Sequence, residues 1–218
     1  LVEATTNETD SPDFTLIAEK LKLLQEIFPE SENLAEACAR ILVNLSAMQT
    51  TTTDRVFIIE KIRTLYKEFP NSQNIALQYA RSLYNFLRRQ NDIKERKEII
   101  SEIETLTLKF QNSEDIALLY AMILVNLSTE QTELKERKAT VEKLEKLQQQ
   151  FQDSPDIALR YARILFNLST KQTELKELET TAEKLEKLQQ QFQDSPDIAL
   201  QYAMILVNLS NKQTELKD

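Results

Sequence analysis

The strongest constraint on the fold is a repeat with a period of 41 residues. The block Phe151–Gln191 matches the block before it, Phe110–Gln150, at 31 of 41 positions. The next block, Phe192–Asp218, starts the same unit again, and two more divergent copies begin at Phe69 and Phe28. A fixed period of this length is typical of stacked supersecondary units, which bury their apolar faces against one another. The repeat therefore predicts an array of similar units.

Composition restricts these units to helices. The 218 residues include no glycine and five prolines, and 41% of them are hydrophobic. Glycine supplies the positive-φ positions of tight turns between strands. Its absence predicts an all-α fold, in which helices are joined by short polar linkers around an apolar core.

The charge balance excludes several classes of partner. The chain has 27 Lys and Arg against 35 Asp and Glu, which gives a net charge of −8. A general binder of nucleic acid or of anionic membranes needs a positive surface, so we expect neither partner. No apolar run approaches the roughly 20 residues of a membrane-spanning helix. Leu1 is not an initiator methionine, so the sequence says little about the cellular compartment. We nevertheless expect a cytoplasmic protein.

The apolar pattern predicts ten alternating, antiparallel helices in a single domain at 11–218, preceded by a flexible acidic tail at 1–10. Five helices, which we term helix A, are predicted at 31–47, 72–88, 113–128, 154–169 and 195–210. Five others, termed helix B, are predicted at 11–28, 53–69, 92–110, 132–151 and 173–192. The repeats start near 28, 69, 110, 151 and 192, with a half repeat at each end.

Local signals place the helix starts and the buried faces. Ser154-Pro155 predicts an N-cap followed by a proline in the first turn, and Ser11-Pro12 predicts the same for the first helix. Thr173 is expected to cap the following helix B. In that repeat we expect these helix A residues to be buried: Ile157, Ala158, Tyr161, Ala162, Ile164, Leu165 and Leu168. The first helix is expected to present one apolar stripe: Phe14, Ile17, Ala18, Leu21, Leu24 and Phe28.

The junctions between units read FPESENLAEACARIL, FPNSQNIALQYARSL and FQDSPDIALRYARIL. This pattern resembles the tetratricopeptide repeat family, in which a proline-containing turn after helix B leads to a small residue on the next helix A. Pro29 and Pro70 match the proline of that family. The small residue is alanine in every copy: Ala39, Ala80, Ala121, Ala162 and Ala203. The resemblance covers residues 11 to 218. It implies a right-handed α-solenoid of antiparallel helix pairs, with helix A on the concave face.

The unit also departs from that family. It exceeds the family's 34 residues by about seven, and glutamine replaces the proline in the later copies at Gln111, Gln152 and Gln193. The small alanine that the family places midway along helix B is not clearly present. Two assignments therefore stay open: a less regular tetratricopeptide-like solenoid, and a paired-helix repeat of the HEAT or half-a-tetratricopeptide kind.

No residue pattern indicates catalysis. The chain has no histidine, so a general base or a zinc site would depend on carboxylates, which lie on solvated helix faces. Without glycine there is no phosphate-cradling loop. The single cysteine, Cys38, replaces the tyrosine of the other copies; we interpret it as a small core residue, with a reactive thiol as the alternative. We therefore expect no enzymatic activity, no cofactor and no metal site.

An asparagine recurs on helix A at one register, and we term this set the asparagine column: Asn44, Asn85, Asn126, Asn167 and Asn208. Asparagine has a poor helix propensity, because its side chain competes for backbone hydrogen bonds. If helix A lines a concave face, as the resemblance implies, the five amides form a ladder for an extended peptide backbone. The alternative, which we slightly favour, is that each amide bonds a linker or an adjacent helix and fixes the repeat geometry.

Variable positions share a face with the asparagine column, because helix positions three and four residues apart lie together. Four residues before each asparagine stand Arg40, Arg81, Met122, Arg163 and Met204. The residues directly before the asparagines include Tyr84 and Phe166. A third variable column runs Ala37, Gln78, Leu119, Arg160 and Gln201. Arginine and aromatic residues suit a partner with carboxylates and apolar side chains, whereas tolerant surface drift is the alternative.

These observations lead us to expect a non-enzymatic protein-interaction scaffold that binds a peptide or protein on the helix A face. Two alternatives stay open: a structural array that self-associates, and a regulatory repeat domain cut from a larger protein. The last helix A carries Ile198, Tyr202, Ile205, Leu206 and Leu209. A further helix B is expected to start at Gln213 without completing, so we expect this apolar end to form a homo-oligomer contact.

Overall fold

The computed structural model describes residues 14–48 and 51–215. These residues form ten α-helices and no strand: α1 (Phe14–Ile27), α2 (Glu32–Met48), α3 (Thr52–Glu68), α4 (Gln73–Leu87), α5 (Ile93–Lys109), α6 (Glu114–Glu130), α7 (Leu134–Gln150), α8 (Pro155–Ser169), α9 (Leu175–Gln191) and α10 (Pro196–Glu215). The predicted all-α fold is confirmed, and every observed helix overlaps a predicted one. The even-numbered helices are helix A and the odd-numbered ones helix B. The predicted tail and the Ser11-Pro12 start lie outside the described residues.

The chain forms two compact units, Leu1–Ile99 and Ile100–Asp218, whose boundary falls inside α5. In the first unit α2 packs against α1, α3 and α4, and α3 also packs against α4. In the second unit α8 packs against α6, α7, α9 and α10. Each unit therefore has a layer of adjacent A helices, with B helices packed on it. The single domain at 11–218 stays a prediction.

The same turn ends all five B helices. An N–H group donates to the leucine carbonyl four residues earlier, at 2.9–3.0 Å, in each of Phe28, Phe69, Phe110, Phe151 and Phe192. Three residues after the phenylalanine, a serine begins the next helix A, and the Ser154 hydroxyl accepts the Ile157 N–H at 3.3 Å. The predicted cap at Ser154 is thus confirmed. No described residue has a positive φ, so this turn needs no glycine.

The turn from helix A to helix B differs from the prediction. Helix α9 begins at Leu175 with Glu174 at the N-cap position and without a side-chain capping bond, so the predicted cap at Thr173 is wrong. The preceding linker is tied to the middle of the helix instead, because the Thr181 hydroxyl donates to the Gln172 amide oxygen at 3.0 Å. Thr181 is buried, and a buried hydroxyl needs such a partner.

The predicted helix A core is confirmed in α8, where all seven apolar residues named above are buried. The small-residue register is also buried in four copies: Ala39, Ala80, Ala121 and Ala162 are each 0% exposed. Ala203 is exposed. In the predicted stripe of the first helix, Leu24 and Phe28 are exposed, and among the described residues α1 packs against α2. The side chains of Phe14 and Ala18 lie outside the described part of the structure.

Helix α10 is longer than predicted. We expected a linker and a new helix start at Gln213, but α10 continues from Pro196 to Glu215. The Thr214 hydroxyl bonds back to the Ser210 carbonyl at 3.0 Å, and Lys212 pairs with Glu215 at 3.1 Å, so local contacts support the extension. The predicted apolar face is partly covered: Ile198 and Ile205 are buried, whereas Leu206 is exposed.

Candidate functional site

The asparagine column lies on the five A helices, and its members differ in burial. In the unit Leu1–Ile99, Asn44 on α2 is exposed and Asn85 on α4 is half-buried. In the unit Ile100–Asp218, Asn126 on α6 is exposed, whereas Asn167 on α8 and Asn208 on α10 are half-buried. The copies therefore occupy different environments despite their common register.

Two members of the column bond a neighbouring helix A. Asn167 Nδ2 donates to Ser128 Oγ at 2.9 Å, and Asn208 Nδ2 donates to Ser169 Oγ at 3.0 Å. Both serines are buried, and each donates its own proton to the carbonyl three residues earlier at 2.7 Å. These bonds favour the structural interpretation for Asn167 and Asn208. The Oδ1 atoms of these two asparagines accept no hydrogen bond from a described residue.

The other three asparagines, Asn44, Asn85 and Asn126, make no side-chain hydrogen bond to any described residue. The sequence explains part of this difference. A serine precedes Asn167 and Asn208 by 39 residues, whereas Leu87 stands at the corresponding place before Asn126. The amide of Asn126 is therefore exposed with its donors and its acceptor unused. Asn85 also has such a serine, Ser46, but makes no bond to it, so the serine alone is not sufficient.

Arg137 on α7 was not singled out from the sequence, yet it fixes the end of a helix A. It is 6% exposed; its Nη1 donates to the Asn167 carbonyl at 2.6 Å and its Nε to the Gln131 carbonyl at 2.8 Å. The last carbonyls of a helix lack intrahelical partners, and a cation there suits the helix dipole. The sequence does contain a signal for this residue, because an arginine recurs at the 41-residue spacing in Arg55, Arg96 and Arg137.

A pocket of about 300 Å³ lies beside Asn85 in the unit Leu1–Ile99. Its lining consists of Ser46, Arg55, Asn85, Arg88 and Arg89. The Arg88 guanidinium also lies 6.0 Å from the centroid of the ring of Tyr84, which precedes Asn85 on α4. Arg88 and Arg89 are exposed, and an anion that accepts N–H groups from both guanidinium groups would form charge-assisted hydrogen bonds with them. The sequence analysis predicted Tyr84 and Asn85 but not these three arginines; we refer to this concavity as the arginine pocket.

The variable column is accessible to different degrees. Arg40 and Arg81 are exposed, whereas Met122, Arg163 and Met204 are half-buried, as are the aromatic residues Tyr84 and Phe166. On α8 the neighbouring Arg160 has a buried Nε with no hydrogen-bond partner among the described residues. A buried donor without an acceptor is costly, so this nitrogen destabilises its part of helix A.

Buried tyrosines join the B helices on either side of α6 and α8. Lys143 Nζ donates to both oxygens of Glu104 at 2.7 and 2.9 Å and to the Tyr120 hydroxyl at 3.3 Å. Burial raises the pKa of Tyr120, and the hydrogen-bonded Glu104 carboxylate raises it further. Burial and Glu145 act in the same way on the pKa of Tyr161. These phenols stay protonated at neutral pH, which suits a structural role.

Neither a metal-ligand cluster nor a membrane span is present in residues 14–48 and 51–215. No three cysteine, aspartate or glutamate side chains lie close enough there to hold a metal ion. None of the ten helices is long and apolar enough to cross a membrane. The family likeness rests on the junction sequences alone, since no protein-family model and no curated protein matches the chain.

Proposed function

We propose that this chain is a non-enzymatic interaction scaffold, a tetratricopeptide-like α-solenoid that binds an acidic, extended peptide along its helix A face. The observation that carries the proposal is the arginine pocket beside Asn85. Guanidinium groups bind carboxylates through paired, charge-assisted hydrogen bonds, which are among the stronger polar contacts in proteins. Tyr84 adds an aromatic surface next to that charge, which suits an apolar side chain of the same peptide.

The packing of the second unit supports a concave helix A face. There α6 packs directly on α8, and α8 on α10. The B helices α7 and α9 are bridged by long side chains, since Lys184 reaches Glu145 at 2.7 Å and Lys138 reaches Glu177 at 2.5 Å. A stack that is closer on one side than on the other curves toward the closer side, which here is the side of helix A.

Hydrogen-bonding groups on the A helices of that unit suit a peptide backbone. The Oδ1 atoms of Asn167 and Asn208 can accept backbone N–H groups, while their Nδ2 atoms hold the serines. Asn126 offers both donors and an acceptor. Such contacts are independent of peptide side chains, so this unit would bind an extended backbone of any sequence, while the arginine pocket of the unit Leu1–Ile99 would by itself select acidic residues.

The proposal is tested with a short fluorescent peptide of alternating glutamate and leucine, titrated against the full chain and compared with a lysine–leucine peptide. Replacing Arg88 and Arg89 by alanine should weaken binding of the acidic peptide by about tenfold or more, since each charge-assisted bond contributes roughly 1.5–3 kcal/mol. The matched control replaces the exposed Lys94 and Lys97 of the same unit, which removes equal charge away from the pocket. Equal losses in both variants, or equal binding of the two peptides, would refute the proposal.

An exposed apolar stripe supports self-association as a second candidate function. On α10, Leu200, Leu206 and Val207 are 55%, 41% and 57% exposed, and Ala203 lies between them on the same face. Contiguous apolar surface of this kind marks contact sites. Light scattering over a range of concentrations tests this candidate, since a mass equal to that of one chain at every concentration would exclude it.

A further inference from the structure

A cleft of about 630 Å³ surrounds Cys38 in the unit Leu1–Ile99. Helix α1 contributes Leu21, Lys22 and Gln25 to its wall, α3 contributes Lys61, and Cys38 and Leu42 on α2 form its floor. Cys38 is 1% exposed, and burial raises the pKa of its thiol, so the floor is apolar and uncharged. A cleft of this volume is in the range that small-molecule sites occupy.

The position of Cys38 is held by a tyrosine in every other copy: Tyr79, Tyr120, Tyr161 and Tyr202. Three of these rings are almost fully buried, with Tyr79, Tyr120 and Tyr161 at 1%, 4% and 6% exposed. A cysteine side chain has no ring. The cleft therefore lies at the register where other copies place a phenol from their own chain.

The residues that line the cleft stand at the registers that contact those phenols elsewhere. Lys22 corresponds to Arg63, whose Nε donates to the Tyr79 hydroxyl. Gln25 corresponds to Tyr66, whose ring stacks on that of Tyr79 at a centroid distance of 5.6 Å. The cleft thus keeps the positions for a ring contact and for a donor to a hydroxyl.

The opposite wall gives the same correspondence. Lys61 lies 82 residues, or two repeats, before Lys143, whose Nζ donates to the Tyr120 hydroxyl at 3.3 Å. Leu42 corresponds to Leu83 and Leu124, which are both 1% exposed. The cleft therefore has counterparts of the apolar floor and of the ammonium donor beside Tyr120, but it has no phenol.

We infer that this cleft is a binding site for a small, uncharged phenolic molecule, whose ring lies over Cys38 and Leu42 and whose hydroxyl accepts a hydrogen bond from Lys61. Apolar space left by a missing side chain binds ligands of matching shape. An anionic ligand fits less well, because Glu26, Glu30 and Glu68 also line the cleft and Lys22 already pairs with Glu26 at 3.6 Å. The site is formed by α1, α2 and α3 and includes no member of the asparagine column, so it does not depend on the proposed peptide site.

The first test uses the natural chain, because Cys38 is its single cysteine and reports on this cleft alone. Iodoacetamide alkylation is followed by mass spectrometry with increasing p-cresol, which is a tyrosine side chain without its backbone. Saturable slowing is expected with a dissociation constant on the order of millimolar, as suits so small a ligand. Toluene, which lacks the hydroxyl, should bind about threefold to tenfold more weakly. An alkylation rate that saturating p-cresol leaves unchanged would overturn the inference.

Three variants and a peptide sharpen the test, with binding measured by nuclear magnetic resonance. Cys38→Tyr should fill the cleft and abolish p-cresol binding, whereas Cys38→Ala leaves the cleft open and should retain it. Lys61→Met removes the donor, so the variant should bind p-cresol and toluene about equally well. Undiminished binding by Cys38→Tyr, or an unchanged preference in Lys61→Met, would contradict the assignment. A capped Gly-Tyr-Gly peptide that protects Cys38 as well as p-cresol does would overturn the small-molecule source. If Cys38→Tyr does not fold, the alkylation result on the natural chain decides.

Discussion

The hydrogen bond from Asn167 to Ser128 should stabilise the second unit by a measurable amount, and the chain contains its own control. Asn167→Ala removes an amide that donates to Ser128 Oγ at 2.9 Å. Asn126→Ala makes the same chemical change at the same register and in the same unit, but at an exposed side chain with no hydrogen bond. The comparison therefore separates the bond from the general effect of placing alanine in a helix.

Both variants change the helix propensity in the same way, and only Asn167→Ala also loses a hydrogen bond. The expected difference in the free energy of unfolding follows from that bond. Alanine is favoured over asparagine in a helix by up to about 0.7 kcal/mol, and this gain applies to both. Only Asn167→Ala loses a hydrogen bond, which contributes roughly 0.5–1.5 kcal/mol, and leaves the buried Ser128 oxygen without its donor. We expect the free energy of unfolding of Asn167→Ala to lie below that of Asn126→Ala by about 0.5–1.5 kcal/mol.

Urea denaturation followed by circular dichroism measures this difference, with thermal melting as a check. A change of this size should separate the two midpoints by about 2–4 °C per kcal/mol. A double-mutant cycle with Ser128→Ala isolates the pair, because the loss caused by Asn167→Ala should largely vanish once the hydroxyl is absent. Equal stabilities of Asn167→Ala and Asn126→Ala, within about 0.3 kcal/mol, would refute the structural role of this amide.

Three further predictions follow from the same registers. Ala162→Leu should cost about 1–3 kcal/mol by overpacking α8, whereas Ala203→Leu, at the same register but exposed, should stay within about 0.5 kcal/mol in denaturation experiments. Folding raises the pKa values of Tyr120 and Tyr161, so the contribution of these phenols to the free energy of unfolding is complete below the ordinary pKa of 10.0 and is lost as the pH rises above it. Replacing both by phenylalanine should therefore flatten the fall in stability above about pH 10. If α10 mediates self-association, Leu206→Glu should lower the mass measured by light scattering at high concentration, and an unchanged mass would exclude this contact.

The sequence was sufficient for features that depend on residues close together in the chain. The apolar positions of α8 predicted its buried face, because a helix of 3.6 residues per turn brings them to one side. The Ser154 cap was predicted for the same reason, since its partner Ile157 is three residues away. The absence of glycine predicted a chain without strands, and the described residues indeed adopt no positive φ.

Most polar contacts between separate helices or across a linker were missed, apart from the bonds of Asn167 and Asn208. In the arginine pocket, Arg88 and Arg89 follow Asn85 at helical spacing, but Ser46 of α2 and Arg55 of α3 come from other helices, and no spacing within one helix indicates that these converge with them. Arg137 resembled an ordinary surface charge until its contact with the Asn167 carbonyl, 30 residues later, was visible. The cap at Thr173 failed because Gln172 is instead held by Thr181, nine residues further on. Periodicity gives the buried face of a helix but not the partners of its polar groups.

The two interpretations of the asparagine column are therefore complementary, because they apply to different copies. Asn167 and Asn208 use the amide nitrogen within the fold and leave one oxygen for a ligand, whereas Asn85 makes no such bond although Ser46 stands 39 residues earlier. Leu87 stands at that place before Asn126, whose exposed amide is engaged by no described residue. A helix would be more stable with alanine there, so the cost of Asn126 calls for a role outside the folding of this chain. If that role is peptide binding, Asn126→Ala should lower the affinity of the unit Ile100–Asp218 for an extended peptide by about twofold to tenfold without loss of stability.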